Sequence, residues 1–180
     1  PEMVNMVHID MGEKGPGGPM QATTIMAGGT TMYASQDNIY LAQGSFNWWW
    51  GSGDTDMSTR IHRFELKDDG TAYTSSGAVP GWLHNQFSMS EHEGRLRVAT
   101  TLMDWWWGSD NDDQQAGNNV YILDASQGQM QTIGAIEGLA PGERIYAARF
   151  QGDKGFLVTF RQVDPLFTLD LSDPTNPQAV

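Results

Sequence analysis

Four segments of this 180-residue chain share a strand-like pattern that ends in an apolar residue, an acid and another apolar residue. The acids are Asp10, Glu65, Asp124 and Asp170, which are separated by 55, 59 and 46 residues. A polar turn follows each acid, and another strand-like segment is visible after the first three turns. Self-similarity at a period of this length is typical of repeat architectures, in which each repeat is one supersecondary unit.

Two more strands can be placed upstream of each of the last three acids. They alternate apolar and polar residues and are rich in β-branched and aromatic side chains, as strands are. The pairs are 30–35 with 38–46, 85–91 with 96–103, and 144–150 with 155–160. Each unit then has four antiparallel strands, here called a to d in chain order. Four-stranded units of about 40–50 residues are typical of β-propeller blades.

The sequence therefore predicts an all-β fold: a β-propeller fragment of four-stranded antiparallel blades, two full and two partial. A single partial domain would span residues 1–180. Its parts would be strands c and d of one blade at 3–28, whole blades at 29–80 and 84–137, and an incomplete blade at 143–180. Because an open propeller exposes unpaired strand edges, we expect missing blades or another chain to complete it.

Composition excludes several kinds of partner. The net charge is −12, which opposes binding to nucleic acid, where cationic side chains supply the dominant attraction. No apolar run approaches the ~18 residues expected of a membrane span. Cysteine is absent, so disulfides and thiolate metal sites are excluded.

The segment WWWGS occurs twice, at 48–52 and at 105–109. Both copies fall between strands b and c of successive blades, as insertions that the last unit lacks. Connections b–c and d–a lie on one face of a propeller, and one d–a connection also carries a tryptophan. The predicted ligand or partner face therefore comprises Trp48, Trp49, Trp50, Trp82, Trp105, Trp106 and Trp107.

These rings allow two interpretations. Neighbouring hairpins could pack their tryptophans on one another as a small core. Alternatively, exposed rings could bind a partner, since tryptophan is enriched at interface hot spots and exposed apolar patches mark binding sites. Successive strand residues point to opposite faces, so a triplet cannot bury all its rings on one side.

Acids follow each triplet with alternate spacing. Asp54 and Asp56 after the first, and Asp110 and Asp112 after the second, are candidate Ca²⁺ ligands, because this cation prefers several oxygen ligands on a tight loop. The second pair is favoured. The glycine and the bidentate acid of the full calcium-loop motif are missing, and solvated turns are equally rich in such residues. Calcium is the one candidate cofactor that the sequence suggests. No catalytic residue is predicted, since no nucleophile elbow, phosphate loop or paired-histidine motif is present.

Three stretches carry a family resemblance: NQFSMSEHEGRLRVATT at 85–101, NNVYILD at 118–124 and EGLAPGERIYAARFQGDKGFLVTFRQVDPLFTLDLSDPTNP at 137–177. They closely resemble a family of secreted prokaryotic proteins with a C-terminal β-propeller distantly related to WD repeats. The resemblance implies a propeller fold and an extracellular or cell-envelope location. It implies no activity, and the Trp triplets are particular to this chain.

Two functional hypotheses follow. The first is a non-catalytic extracellular binding or scaffold module that presents its Trp-rich, acidic loop face to protein or glycan. The alternative is part of an extracellular polysaccharide-acting enzyme whose remaining blades are missing.

Overall fold

The computed structural model describes residues 2–9, 21–28, 31–48, 55–102, 117–125, 128–160 and 165–180. Within these ranges the chain forms fifteen strands and one short 3₁₀ turn. No helix among the described residues has the length and apolar character needed to cross a bilayer.

The strands form four antiparallel sheets that follow one another along the chain. The first sheet pairs β1 (Val4–His8) with β2 (Gln21–Ile25). The second contains β3 (Thr31–Ala34), β4 (Asn38–Trp48), β5 (Thr55–Lys67) and β6 (Gly70–Pro80) in sequential order.

The third sheet contains β7 (Trp82–Leu83), β8 (Met89–His92), β9 (Arg95–Leu102), β10 (Gly117–Asp124) and β11 (Gln131–Leu139). The fourth contains β12 (Arg144–Gln151), β13 (Lys154–Phe160), β14 (Leu166–Asp170) and β15 (Gln178–Ala179). The two-residue strand β15, which pairs with β14, adds a fourth strand to a unit for which the sequence predicts three.

The first strand of the third sheet is interrupted, although the sequence predicts one strand over 85–91. Residues Gln86–Ser88 form a 3₁₀ turn, capped by the Asn85 side chain, which accepts a hydrogen bond from the Phe87 amide at 2.9 Å. β7 and β8 on either side of the turn both pair with β9. An asparagine cap therefore overrides the strand pattern, because its side-chain oxygen satisfies a backbone donor in the turn.

The core lies between consecutive sheets. One cluster joins the second and third sheets through residues that include Tyr40, Ile61, Val98 and Tyr121. A second cluster joins the third and fourth sheets through residues that include Ala99, Ile122, Leu157 and Leu169.

β9 and β10 supply both clusters because successive residues of a strand point to opposite faces. Every residue from Leu96 to Thr101 is buried, as is every residue from Gly117 to Leu123. The third sheet is therefore enclosed on both faces, which explains why its central strands read as nearly continuous apolar or threonine-rich runs rather than as clean alternation.

Candidate functional site

Two long hairpins leave the same end of the stacked sheets, which we call the hairpin face. It carries the β4–β5 and β9–β10 connections together with the β6–β7 and β11–β12 connections. Two hydrogen bonds align these ends: the Thr100 hydroxyl donates to the Pro80 carbonyl at 2.7 Å, and the Ile145 amide donates to the Thr101 hydroxyl at 3.1 Å. The second, third and fourth sheets thus contribute connections to one surface.

The first Trp triplet begins at the end of a paired hairpin. The β4–β5 ladder extends to the pair Trp48–Thr55. The side chains of Trp48 and Asp56 lie outside the described part of the structure. So do residues Trp49, Trp50, Asp54, Trp105, Trp106, Trp107, Asp110 and Asp112. Ring exposure in the triplets and calcium binding by the acids therefore stay predictions.

Trp82 is the described member of the predicted ligand face, and it lies at the end of the third sheet where the β9–β10 connection begins. It belongs to β7, where it pairs with Thr101, one residue before the end of β9. Its exposed fraction is 48%. The indole ring is thus half open to solvent beside the base of the second hairpin.

The backbone conformation of Gly81 determines where Trp82 lies. Its φ is +85°, and a Cβ there would lie 2.8 Å from the Thr101 carbonyl oxygen; only glycine fits such a backbone and such an approach. The Gly81 amide donates to Met57 O at 2.9 Å, and its carbonyl accepts from the Thr59 hydroxyl at 2.7 Å. These bonds tie the start of β7 to the stem of the first hairpin.

A cavity of about 240 Å³ lies between β7 and the second sheet, and we call it the Trp82 cavity. Among the described residues it is lined by Thr31, Ala42, Gly44, Thr59, Trp82 and Leu83. A methyl group added at Gly44 would meet no atom within 4 Å, so this glycine leaves part of the space open. Of the described residues that line the cavity, none is ionisable.

The Thr59 hydroxyl beside the cavity is buried and already donates to Gly81 O at 2.7 Å. The described lining is therefore mainly apolar.

A buried polar network supports the second hairpin beneath this face. The Asn118 side chain accepts from the Thr101 hydroxyl at 2.8 Å and donates to the Leu139 carbonyl at 3.0 Å. The Glu143 carboxylate accepts from the Thr159 hydroxyl at 2.6 Å. Because buried polar groups are costly unless they are paired, this network fixes the base from which the second hairpin extends.

Two charged groups between the sheets are structural. The Glu91 carboxylate of β8 accepts from the Ser35 and Tyr40 hydroxyls at 2.6 and 3.0 Å, and from the Asn38 amide at 2.9 and 3.0 Å. Burial, followed by the neighbouring Glu91 charge, raises the pKa of the Tyr40 phenol. This cluster joins the third sheet to the second.

Arg97 of β9 joins the third sheet to the fourth. It is 4% exposed, donates to the Gly152 carbonyl and to the Ser90 hydroxyl, and lies 5.1 Å from the centroid of the Phe150 ring. Burial lowers its pKa because removal from water disfavours the charged form. One terminal nitrogen of its guanidinium is thus held by the fourth sheet and the other by Ser90 of the third.

The recurring acids that define the repeat have different roles. Asp170 accepts from the amide and the hydroxyl of Ser172 at 3.0 and 2.7 Å, which lowers its pKa. Glu65 instead forms an exposed ion pair with Lys67 at 3.6 Å. Within the described ranges no group of three or more His, Cys, Asp or Glu side chains is placed to hold a metal ion.

The sequence analysis named Trp82 but not the other residues that line the cavity. Gly44 carried a signal, because a glycine within a strand often marks a place where something approaches closely. Thr31 and Thr59 carried none, since threonine is ordinary in strands.

The fold and the arrangement of the sheets define a class of protein. The model of the family described as Beta propeller domain matches residues 1–180, and the chain belongs to this family. The predicted β-propeller fold is thereby confirmed. The number of blades, the partial domain and the secreted location stay predictions.

Two relatives are archaeal. The chain is 47% identical over 122 residues to an uncharacterised protein of Archaeoglobus fulgidus, a match that covers 68% of this chain and 17% of the relative. It is 46% identical over 105 residues to an uncharacterised protein of Methanocaldococcus jannaschii, which covers 58% of this chain and 16% of the relative. The matched region is thus about a sixth of the length of these relatives.

Proposed function

We propose that this propeller domain is a non-catalytic extracellular binding or scaffold module that contacts protein or glycan through its hairpin face. The observation that carries the proposal is the Trp82 cavity. A half-exposed tryptophan and a cavity of about 240 Å³ lie together next to the bases of both long connections.

Burial elsewhere shows why this ring is notable. The central strands of the third sheet are enclosed, whereas Trp82 at the edge of the same sheet keeps 48% of its surface open. Leaving so much indole surface in water forgoes stabilisation, since apolar burial contributes about 25 cal/mol per Å². An exposed aromatic ring at the bases of two long connections is therefore a surface suited to a ligand or partner.

The proposal extends to four features of the whole protein. The module is secreted or belongs to the cell envelope. Further blades or another chain complete the propeller. The two Trp triplets form part of the contact surface. The acids Asp54, Asp56, Asp110 and Asp112 hold Ca²⁺, which would be seen as heat in a calcium titration and as a higher Tm.

A binding experiment on the hairpin face tests the main proposal. The wild type and a variant with the six triplet tryptophans changed to Ala would be compared on a glycan array and in pull-downs from envelope extract. We expect the substituted protein to lose most of its captured ligand while keeping the strand signal in circular dichroism. Tyr73→Ala is the matched control, because Tyr73 is an exposed aromatic residue of β6 that lies near the β5–β6 turn, at the other end of the sheet.

Binding that is unchanged both by the six substitutions and by Trp82→Ala would contradict the assignment of the contact surface to the hairpin face. Turnover of a polysaccharide by the wild type would instead favour the alternative, an extracellular polysaccharide-acting enzyme.

A further inference from the structure

We infer that the open face of the fourth sheet packs on the open face of the first sheet in a second copy of this chain, so that two copies close one ring of sheets. The inference rests on the part of the proposed function in which another chain completes the propeller. It identifies that chain as a second copy and specifies both contact faces.

The strand that ends in the repeat acid defines two faces of each sheet. Since successive strand residues point to opposite faces, the residues one and three positions before the acid share one face, and those two and four positions before it share the other. In the third sheet, whose acid is Asp124, Tyr121 and Leu123 pack toward the second sheet. Val120 and Ile122 pack toward the fourth. We call these the trailing face and the leading face.

The leading face is buried wherever a following sheet is present. Four positions before the acid, Ile61 in the second sheet and Val120 in the third are both 0% exposed, and each belongs to the core cluster shared with the next sheet. Leu166 has this position in the fourth sheet and is 62% exposed. The same face carries Phe160, two residues beyond the β13 partner of Leu166, and Tyr146, whose ring lies 6.4 Å from that of Phe160. The fourth sheet therefore has an open, apolar leading face.

The trailing face is buried wherever a preceding sheet is present. One position before the acid, Phe64, Leu123 and Leu169 of the second, third and fourth sheets are at most 1% exposed. Ile9 has this position in the first sheet and is 51% exposed, and Val7 on the same face is 49% exposed. The first sheet therefore has an open, apolar trailing face.

A hydrogen bond shows independently which side of the first sheet is open. The Thr23 hydroxyl donates to the Thr71 carbonyl of β6 at 2.8 Å, so the Thr23 side chain faces the second sheet. Val7 pairs with the residue before Thr23 and thus points to the opposite side. Met3 and Met26, which are 67% and 74% exposed, lie on that open side by the same alternation.

The open faces carry little that would oppose their contact. Among the described residues on the open side of the first sheet, none is ionisable. The polar side chains there already pair with each other, since the Thr24 hydroxyl donates to the Asn5 side-chain oxygen at 2.7 Å, and a paired polar group can be buried at low cost. On the fourth sheet Arg144 lies at the start of β12 opposite Phe160, where it can stay hydrated at the rim of a contact.

These two faces are complementary because every described junction packs a leading face on a trailing face. The second sheet meets the third in this way, and the third meets the fourth. A contact between the fourth sheet of one copy and the first sheet of another repeats the same arrangement. Pairing two fourth sheets would instead join two leading faces, for which the molecule offers no precedent among its described junctions.

The number of copies follows from the size of closed propellers, which contain about 4–8 blades. The described chain forms four sheets, and its two open faces show that these four do not close on one another. Two copies of four sheets make eight and have two identical junctions, whereas a third copy would exceed the usual range. A head-to-tail contact that closes in this way gives a ring rather than a filament.

Sedimentation equilibrium of the 180-residue chain tests the inference. We expect the wild type to have twice the mass of one chain. Phe160→Lys with Leu166→Lys should raise the dissociation constant about 100-fold or more, and so should Val7→Lys with Ile9→Lys, because each pair of substitutions places unpaired charges in both junctions. All four positions are exposed, so the strand signal in circular dichroism should be unchanged.

Mixing the two double variants is the discriminating experiment. The unaltered first sheet of one variant and the unaltered fourth sheet of the other can still meet, so an equimolar mixture should regain a dimer that contains one copy of each. This dimer should be weaker than the wild type, which has two linked junctions. Met32→Lys, at an exposed position of the second sheet, is the control and should dimerise like the wild type.

Four outcomes would overturn the inference. They are a wild type that stays monomeric at about 100 µM, a first-sheet variant that dimerises like the wild type, a mixture of variants that stays monomeric, and a wild type that grows into species larger than the dimer. If the chain is monomeric but still captures protein or glycan through the hairpin face, the proposed binding function stands and the second copy is excluded.

Discussion

Glu91 shows how one side chain can organise the contact between two sheets. Its carboxylate accepts from Ser35, Asn38 and Tyr40, and its amide donates to the Tyr33 hydroxyl at 2.9 Å. These partners lie more than 50 residues away in sequence. Nothing local in the segment MSEH indicates such a role, because it depends on how two sheets align.

Removing this carboxylate should destabilise the fold. Glu91→Ala leaves three donors without their acceptor, and we expect a loss of roughly 2–4 kcal/mol in the free energy of unfolding. Glu91→Gln, which keeps one acceptor oxygen, should lose less. Urea denaturation measures both values, and a loss below about 0.5 kcal/mol for Glu91→Ala would show that the cluster is incidental.

Two buried tyrosines should make the stability of the fold sensitive to alkali. Burial, followed by the contacts with Glu91 and Glu137 respectively, raises the pKa values of Tyr40 and Tyr121 above the ordinary value of 10.0. The unfolded chain therefore releases these protons first, so their contribution to stability is complete below pH 10 and decreases as the pH rises above it.

The Tm, measured from about pH 9 to about pH 11, should fall with pH in the wild type. It should fall less steeply in the double variant Tyr40→Phe and Tyr121→Phe, which has no phenol at either position. Parallel curves for the two proteins would mean that these phenols do not cause the pH dependence.

At the scale of strands, the sequence predicts which segments form paired strands better than it predicts where a strand is interrupted. The apolar alternation and the polar turns locate β4 to within two residues, because this strand exposes one side and buries the other. β5 begins at Thr55, six residues before the predicted strand at 61–66, so it extends into the stretch interpreted as an insertion. The segment 85–91 also differs, since Asn85 caps a turn whose stability comes from a hydrogen bond rather than from side-chain alternation. The Trp82 cavity was beyond prediction because four strands from two sheets line it.

The junction of the third and fourth sheets provides a matched pair of arginines. Arg97 is buried between the sheets, whereas Arg95, two residues earlier on β9, is part-exposed and pairs with Glu93 at 3.8 Å. Arg97→Ala should cost roughly 2–4 kcal/mol through lost packing and unpaired acceptors. Arg95→Ala should cost about 0–1 kcal/mol, as a surface ion pair does. Equal effects in chemical denaturation would contradict the structural role given to Arg97.

At the scale of the whole molecule, one face of the fourth sheet is apolar and exposed. Tyr146, Phe160 and Leu166 have exposed fractions of 66%, 50% and 62%, and the first two rings lie 6.4 Å apart. The corresponding face of the third sheet is covered by the fourth. Exposed apolar surface of this kind marks a contact for another element or chain.

This 180-residue chain, studied alone, should therefore self-associate. Sedimentation velocity should show a larger species whose share rises with concentration, and Phe160→Lys with Leu166→Lys should restore the monomer. Met32→Lys, at an exposed position of the second sheet, is the control. A wild type that stays monomeric at about 100 µM would contradict the prediction.

The third sheet contacts its two neighbours through side chains of opposite charge. Glu91 accepts hydrogen bonds from hydroxyl and amide donors of the second sheet. Arg97 contacts a carbonyl and an aromatic ring of the fourth. The sheets repeat one architecture, but these contacts make them non-interchangeable. Exchanging the second and fourth sheets would bury a carboxylate against a phenyl ring and a guanidinium against amide and hydroxyl donors. The charged contacts at the two junctions thus determine the order in which the sheets can follow one another. A propeller with exchanged sheets would need each charged residue together with the groups that it contacts.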